Sequence, residues 1–240
     1  MPRLIIVAQD KGGSGKSLMS RALAEAVPDA PIIEIESEHR LMELGSVRVT
    51  HCPMRASHED IQRSGGRASR SEFDLAIDAM AAATLPTIVD VGANTAKYLF
   101  PVLAGLTDDL TEADITIGVL FVVTSEAPAI ANIASLAPPA KRFAAAQFLV
   151  ENRFHKPVDR EELAGLVGKA KLSVLERVDL VEEAVAIYAA GGLACVPQLD
   201  GSALKAEHGF MKGARVRSDL TELRLKAMQA VEPAATWLVS

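Results

Sequence analysis

Seven consecutive residues carry the strongest chemical signal in the chain: Lys11-Gly12-Gly13-Ser14-Gly15-Lys16-Ser17. They lie between a short apolar run, Leu4–Ala8, and a stretch with helical apolar spacing, Leu18–Val27. A strand, a glycine-rich turn and a helix in that order form a phosphate cradle. Glycines let the backbone curl until successive N–H groups point inward, and the helix that begins at about Ser17 adds its positive dipole end. Lys16 would place an ammonium on the β- and γ-phosphates, and the Ser17 hydroxyl is a hard oxygen ligand suited to Mg²⁺. Lys11, Gly12, Gly13, Ser14, Gly15, Lys16, Ser17 and Leu18 are therefore the expected nucleotide-binding residues. The loop departs from the general motif at one point, where glycine is replaced by Asp10, and it adds a second lysine, Lys11.

Three further segments could complete such a site. Glu34-Ile35-Glu36-Ser37-Glu38 puts carboxylates at alternate positions, which share one face if the strand continues. Like charges so placed repel unless a cation or a loop separates them, and a solvated turn is the alternative. In Thr87-Ile88-Val89-Asp90-Val91-Gly92-Ala93-Asn94, Asp90 ends an apolar strand, where it can hold Mg²⁺ through water near Ser17. Gly92 would let the backbone approach the γ-phosphate. Asn152 follows the apolar run Phe148–Val150, and its amide can donate and accept at once, which suits a base edge as well as a turn. No guanine-reading Asn-Lys-x-Asp segment occurs, so ATP is expected rather than GTP.

The Lys-Gly-Gly-x-Gly-Lys-Ser pattern resembles the deviant Walker A motif of the ParA/MinD-type ATPases. The resemblance covers residues 4 to about 154 and implies a SIMIBI-like P-loop fold. It also implies a sandwich homodimer closed by ATP, in which Lys11 reaches the partner's nucleotide. The family's second strand ends in an acidic-x-acidic pair, usually Asp, whose second member positions the attacking water; by position Glu36 and Glu38 stand there, with Glu38 as the water-holding residue. Lys11, Lys16, Glu38 and Asp90 are then the catalytic set, and Ser17, Glu36 and Asp90 the metal set. Asn152 would read adenine, since Val150-Glu151-Asn152-Arg153 is similar to the family's Val-Asn-Arg stretch. After Asp90 the partition branch usually has prolines; Gly92-Ala93 is closer to the Asp-x-Gly-Ala segment of TraL/StbB-type conjugation and plasmid-stability proteins. The resemblance thus implies a slowly hydrolysing switch in conjugal transfer, plasmid stability or DNA partition, with a protein partner from such a machine and nonspecific DNA as a further contact.

The elements that must position these residues are legible as an alternation. Apolar runs predict strands over Leu4–Ala8, Pro31–Ile35, Val47–His51, Thr87–Val91, Ile115–Val123, Gln147–Val150 and Leu172–Glu176. Helical spacing predicts helices over Leu18–Val27, Phe73–Ala83, Ala96–Leu106, Ala127–Leu136, Asp179–Ala190 and Asp219–Val231. Continuous apolar strands are covered on both faces, so the expected fold class is α/β: a doubly wound, mainly parallel sheet with helices on both faces, in one domain over 1–240. A chain that is 49% hydrophobic has enough apolar side chains for that core; with 4% aromatics the core is built of aliphatics. The formal charge of −6 argues against wholesale coating of nucleic acid.

Cys52 and Cys195 are far apart and in no metal spacing, and the five histidines form no i, i+4 pair. The first apolar run is too short for a signal-peptide core, and Ile115–Val123 is far below the roughly 20 residues of a membrane span, so a cytoplasmic protein with no transmembrane segment is expected. Ser64–Ser71 is small, polar and glycine-rich, with neighbouring charges that cancel, and reads as a surface loop. Six basic residues, Lys205, Lys212, Arg215, Arg217, Arg224 and Lys226, face three acidic ones in the C-terminal third, which reads as a solvated face with DNA contact as the sharper alternative. The last helix carries Leu220, Leu223, Ala227 and Val231 at helical spacing and too thin a basic face for a membrane anchor, so it should dock on the sheet. Two other functions remain in view: a dethiobiotin-synthetase-like ligase, which does not need Lys11, and a module that holds ATP without turnover, which the Glu36 and Glu38 replacements would suit. A nitrogenase-reductase-like protein fails on its cysteines, and a tyrosine-kinase-like relative fails because Tyr98 and Tyr188 form no terminal cluster.

Overall fold

A computed structural model describes residues 2–54, 71–168 and 170–240. The Ser64–Ser71 stretch, apart from Ser71, lies outside the described residues. Seven strands are present among the described residues: β1 (Arg3–Ala8), β2 (Ile32–Ile35), β3 (Val49–Cys52), β4 (Thr87–Val91), β5 (Thr116–Val123), β6 (Ala144–Asn152) and β7 (Lys171–Leu175). They form one parallel sheet in the order β3-β2-β4-β1-β5-β6-β7. The helices are α1 (Lys16–Ala26), α2 (Asp74–Ala81), α3 (Ala96–Gly105), α4 (Thr107–Glu112), α5 (Ala127–Phe143), α6 (Arg160–Val167), α7 (Glu182–Gly191), α8 (Gly201–His208) and α9 (Phe210–Val239).

The two-residue alternation of a strand explains the two layers. Leu4, Ile6 and Ala8 of β1 pack into one core with Leu99, Phe100 and Leu103 of α3 and Ile133 and Leu136 of α5. Ile5 and Val7 enter the other with Met19 and Leu23 of α1 and Ala227, Val231 and Leu238 of α9. All five of those β1 residues are fully buried, as a central parallel strand requires. The doubly wound α/β fold is therefore as the sequence predicts. Because β1 sits between β4 and β5, the turns after these three strands meet at one edge, the place where such sheets bind ligands.

Departures from the predicted elements have local causes. The helix predicted over Ala127–Leu136 runs on to Phe143 through Pro138 and Pro139. Each proline removes an intrahelical bond, but Leu136, Ala137 and Ala140 are buried against the sheet and hold the last turns. The helix predicted over Asp219–Val231 spans 30 residues, and its Leu220, Leu223, Ala227 and Val231 are buried, so it docks as expected. Three helices had no predicted counterpart: α4, α6 and α8. Two of them carry a readable start, since Asp159 accepts from the Glu161 and Glu162 amides, and Asp200 accepts from the Ser202 amide. Val216 and Leu220 of α9 form a third, smaller apolar cluster with Ala184, Val196 and Leu204. Among the described residues, no helix is long and apolar enough to cross a membrane.

Candidate nucleotide site

The turn between β1 and α1 has the backbone of an anion cradle. Gly13 and Gly15 adopt φ of 76° and 100°, which L side chains avoid. Gly15 also lacks room for a side chain, because a Cβ there would lie 2.7 Å from the Asn152 amide nitrogen. That nitrogen donates to the Ser14 carbonyl at 2.9 Å, so β6 braces the loop from behind. Asn152 is thus brought to the loop, with its NH₂ engaged by the loop backbone. No side chain caps the start of α1, which leaves its first amides open to a ligand.

Two polar groups in the loop are left short of partners by the protein. The Ser14 hydroxyl is buried with no hydrogen-bond partner. Lys16 is 8% exposed, and burial lowers the pKa of its ammonium against the opposing pull of Asp90, Asp10 and Glu36. Its Nζ lies 3.5 Å from the Lys11 carbonyl, and among the described residues no carboxylate forms an ion pair with it. A buried cation, a buried orphan hydroxyl and two left-handed glycines fit a polyphosphate.

Asp90 stands in the register position of Val7, next to the loop. Burial pushes its carboxyl up to about 6, although the Ser20 hydrogen bond and Lys16 oppose the rise. Ser20 donates its hydroxyl to Asp90 at 2.5 Å. Ser20 follows Ser17 by three positions and so shares its face of α1. Sequence reasoning missed Ser20; the signal was a polar residue at that spacing amid the helix's buried residues. The Ser17 hydroxyl and the Asp90 carboxylate are oxygen donors of the kind Mg²⁺ takes, with water in its remaining positions.

The acidic segment is not arranged as the sequence predicts. β2 ends at Ile35, so Glu34, Glu36 and Glu38 do not share one face of a continuing strand. The chain folds back onto Glu34, which is fully buried and accepts from the Arg40 amide at 2.7 Å and the Leu41 amide at 3.1 Å, and pairs with His39 Nδ1. The turn wins because a buried carboxylate needs donors, and the backbone supplies them only by curling. His39 stacks on His51, whose Nε2 meets the Glu36 carbonyl at 2.9 Å. Glu36 is brought to the site: its carboxylate lies against Gly92, where a Cβ would come within 2.6 Å of it. Glu38 is exposed on the turn. Among the described residues, no His, Cys, Asp and Glu group is arranged to hold a metal by itself, and both cysteines are free thiols.

The residues that open the loop tie it to its neighbours. Gln9, fully buried, donates to the Val122 and Ala129 carbonyls at 2.9 and 3.0 Å and accepts from the Lys11 amide. Asp10 accepts from the first amides of α3. Lys11 forms an ion pair with Glu126, just before α5, and Thr124 donates to the same carboxylate at 3.1 Å. These contacts hold the Glu126 carboxyl below its usual range, with the Lys11 hydrogen bond as the main cause.

In the C-terminal third much of the basic charge is neutralised within the chain. Lys212 pairs with Glu183, Arg224 with Glu25 and Lys226 with Glu222. Lys205 lies 4.7 Å above the Phe210 ring.

No protein-family model matches the sequence, and no curated protein matches it either. Solved structures are similar at low identity. An apo McdA from Cyanothece is 10% identical, with a TM-score of 0.48 over 93% of this chain and 99% of that one. The MinD cell division protein of Aquifex aeolicus is 13% identical, with a TM-score of 0.44 over 92% and 96%. A Borrelia burgdorferi chain described as a plasmid partition protein, solved with AMPPNP, is 13% identical, with a TM-score of 0.44 over 94% and 99%. These chains resemble the present one as doubly wound parallel α/β folds.

Proposed function

We propose that the chain binds Mg-ATP at the β1–α1 turn and hydrolyses it slowly, as a switch that pairs two copies face to face. The observation that carries this reading is Lys16, an ammonium buried in a curled glycine loop beside Asp90 with no carboxylate ion pair among the described residues. A buried cation without a counter-ion is unfavourable unless a ligand provides the charge. Calorimetric titration with Mg-ATP tests it: saturable heat is expected, and its absence at millimolar nucleotide sinks the reading.

In this reading Ser17 and Asp90 would hold the Mg²⁺, which supplies charge neutralisation on the β- and γ-oxygens. The loop amides and Lys16 hold the phosphates. A water oxygen bonds to the γ-phosphorus, the bridging oxygen leaves with ADP, one water proton stays on the phosphate and the other leaves by a nearby carboxylate. The position of Glu36 against Gly92 favours Glu36 for that carboxylate over Glu38. Glu36→Gln is expected to lower phosphate release by about a hundredfold or more, in the range usual for losing a general base, with nucleotide affinity little changed, while Glu38→Gln leaves release near the parent rate. The reverse pattern in a phosphate-release assay assigns the water to Glu38.

Lys11 would act across the dimer. In the single chain it pairs with Glu126, so engagement of a partner's nucleotide requires that pair to open. Both side chains are partly exposed, so water screens the pair and a triphosphate outcompetes it. Lys11→Ala is expected to keep ATP binding and lose ATP-stimulated dimerisation; sedimentation with ATP that matches the parent contradicts the cross-subunit role. We assign the switch to plasmid transfer, stability or partition on the Asp-x-Gly-Ala segment at Asp90–Ala93. Phosphate release that rises with DNA and a partition or relaxase partner supports this; turnover that requires a small carboxylic acid points to a ligase.

A further inference from the structure

Asp10 stands where the general phosphate-loop motif has glycine, and its carboxylate reaches a helix 86 residues downstream. It is 4% exposed. One oxygen accepts from the Ala96 amide at 2.9 Å and the other from the Lys97 amide at 3.1 Å. Its carbonyl accepts from the Asn94 amide at 3.0 Å. Thr95, the cap position of α3, forms no cap bond; its hydroxyl donates to the Ala93 carbonyl at 3.3 Å. The first turn of α3 is therefore capped from the phosphate loop rather than by its own neighbour.

This arrangement has an electrostatic cost. Burial raises the Asp10 carboxyl above its usual range, against the hydrogen bonds from Lys97 and Ala96 and the charges of Lys97 and Lys16. A carboxylate at the entrance of a triphosphate cradle also repels its ligand, and a glycine would not. What the carboxylate gains is a hold on Gly92–Thr95. Gly92 donates to the Ile35 carbonyl at 2.8 Å, Thr95 donates back to Gly92, and Asn94 is kept at a φ of 61°. The segment thus hangs between the end of β2 and Asp10, with the Glu36 carboxylate against its glycine. Gln9 and Lys11, on either side, hold β5 and the start of α5; of the three, Asp10 is the one that reaches α3.

We propose that Asp10 is a positioning residue that makes Gly92–Thr95 and the first turn of α3 move as one body with the phosphate loop, so that a γ-phosphate gripped at Lys16 is transmitted to Gly92 and along α3. The inference rests on the ATPase reading above. It differs from a purely structural cap in its consequences: a cap alone would alter stability and leave the balance between binding and turnover unchanged.

The test uses the full chain with Asp10→Gly, which restores the general motif, and Asp10→Asn, which keeps one acceptor oxygen. Hydrogen exchange across 92–97, affinity for Mg-AMPPNP and steady-state turnover are measured for each. In Asp10→Gly, exchange at Ala96 and Lys97 should rise by about tenfold or more, as for loss of charge-assisted bonds to buried amides. Mg-AMPPNP should no longer protect 92–97, and kcat should fall by about tenfold with affinity equal to or tighter than the parent. Asp10→Asn should fall between parent and Asp10→Gly in both exchange and kcat. If Asp10→Gly keeps nucleotide-dependent protection and parental kcat while the parent is an active ATPase, this inference alone is overturned. If the parent binds no nucleotide, the ATPase reading and this inference fall together.

Discussion

Lys16→Ala is expected to raise the dissociation constant for Mg-ATP about a thousandfold, out of calorimetric reach, as for truncating one member of a buried charge pair worth roughly 2–5 kcal/mol. The reason lies in the environment of the ammonium. At 8% exposure it has already lost most of its water, and burial already lowers its pKa in the folded chain. In the proposed complex the phosphate is the counter-charge that makes the buried ammonium favourable, and a methyl in its place would leave the loop amides to bind alone. Removal of the charge should not unfold the protein. Lys16→Met, which keeps the apolar stem, is expected to melt no lower than the parent without nucleotide. Calorimetry and melting together separate the outcomes: retained ATP affinity in a folded Lys16→Ala chain contradicts the site, and loss of folding in Lys16→Met contradicts the account of the buried charge.

Asp90→Asn should stabilise the nucleotide-free protein and abolish its chemistry. The carboxyl has a pKa of about 6 in the folded chain against 3.8 in the unfolded one. The folded state therefore holds the proton more tightly, and stability falls as pH rises from about 4 to about 6. Above pH 6 the whole cost is present, about 3 kcal/mol at 1.36 kcal/mol per pH unit. Asparagine keeps an oxygen to accept from Ser20 and carries no charge to desolvate. At pH 7.5 without Mg²⁺ its melting point should exceed the parent's by roughly 5–10 °C for a chain of this size, and the difference should vanish near pH 4. Mg-dependent phosphate release should fall by at least about a hundredfold, the scale of losing one electrostatic stabiliser of the transferring group. An Asp90→Asn protein that melts below the parent at pH 7.5, or that hydrolyses ATP at the parental rate, contradicts the assignment. Under the proposed assignment such a carboxylate is what a metal would require, since Ser20 and Lys16 offset only part of its burial cost.

Several elements were legible for simple physical reasons. Leu4–Ala8, Thr87–Val91 and Ile115–Val123 are apolar without interruption, which a chain tolerates only where both faces are covered, so the parallel sheet follows from composition along the strand. The Lys11–Ser17 loop was legible because glycine spacing, a lysine and a hydroxyl beside a helix start are local requirements of phosphate binding. α6 and α8 were missed although Asp159 and Asp200 cap them, because their apolar periodicity is weak and their stability comes from packing on distant elements. The helix predicted over Ala127–Leu136 continues through the prolines at 138 and 139, because burial of Leu136, Ala137 and Ala140 outweighs the bonds they remove.

Residue order by itself determined the strands of a parallel sheet, the longer helices between them, and a glycine turn of the kind phosphate binding needs, because each is written in apolar runs, helical spacing or local glycine spacing. Tertiary structure alone decided which carboxylate meets which partner. Glu34 turned inward and Glu36 came to Gly92 because a buried charge must find donors. Asp10 became the cap of α3 and Ser20 the partner of Asp90 for the same reason. Those pairings join residues 70 and 86 positions apart, and the desolvation that enforces them exists only once the core has closed.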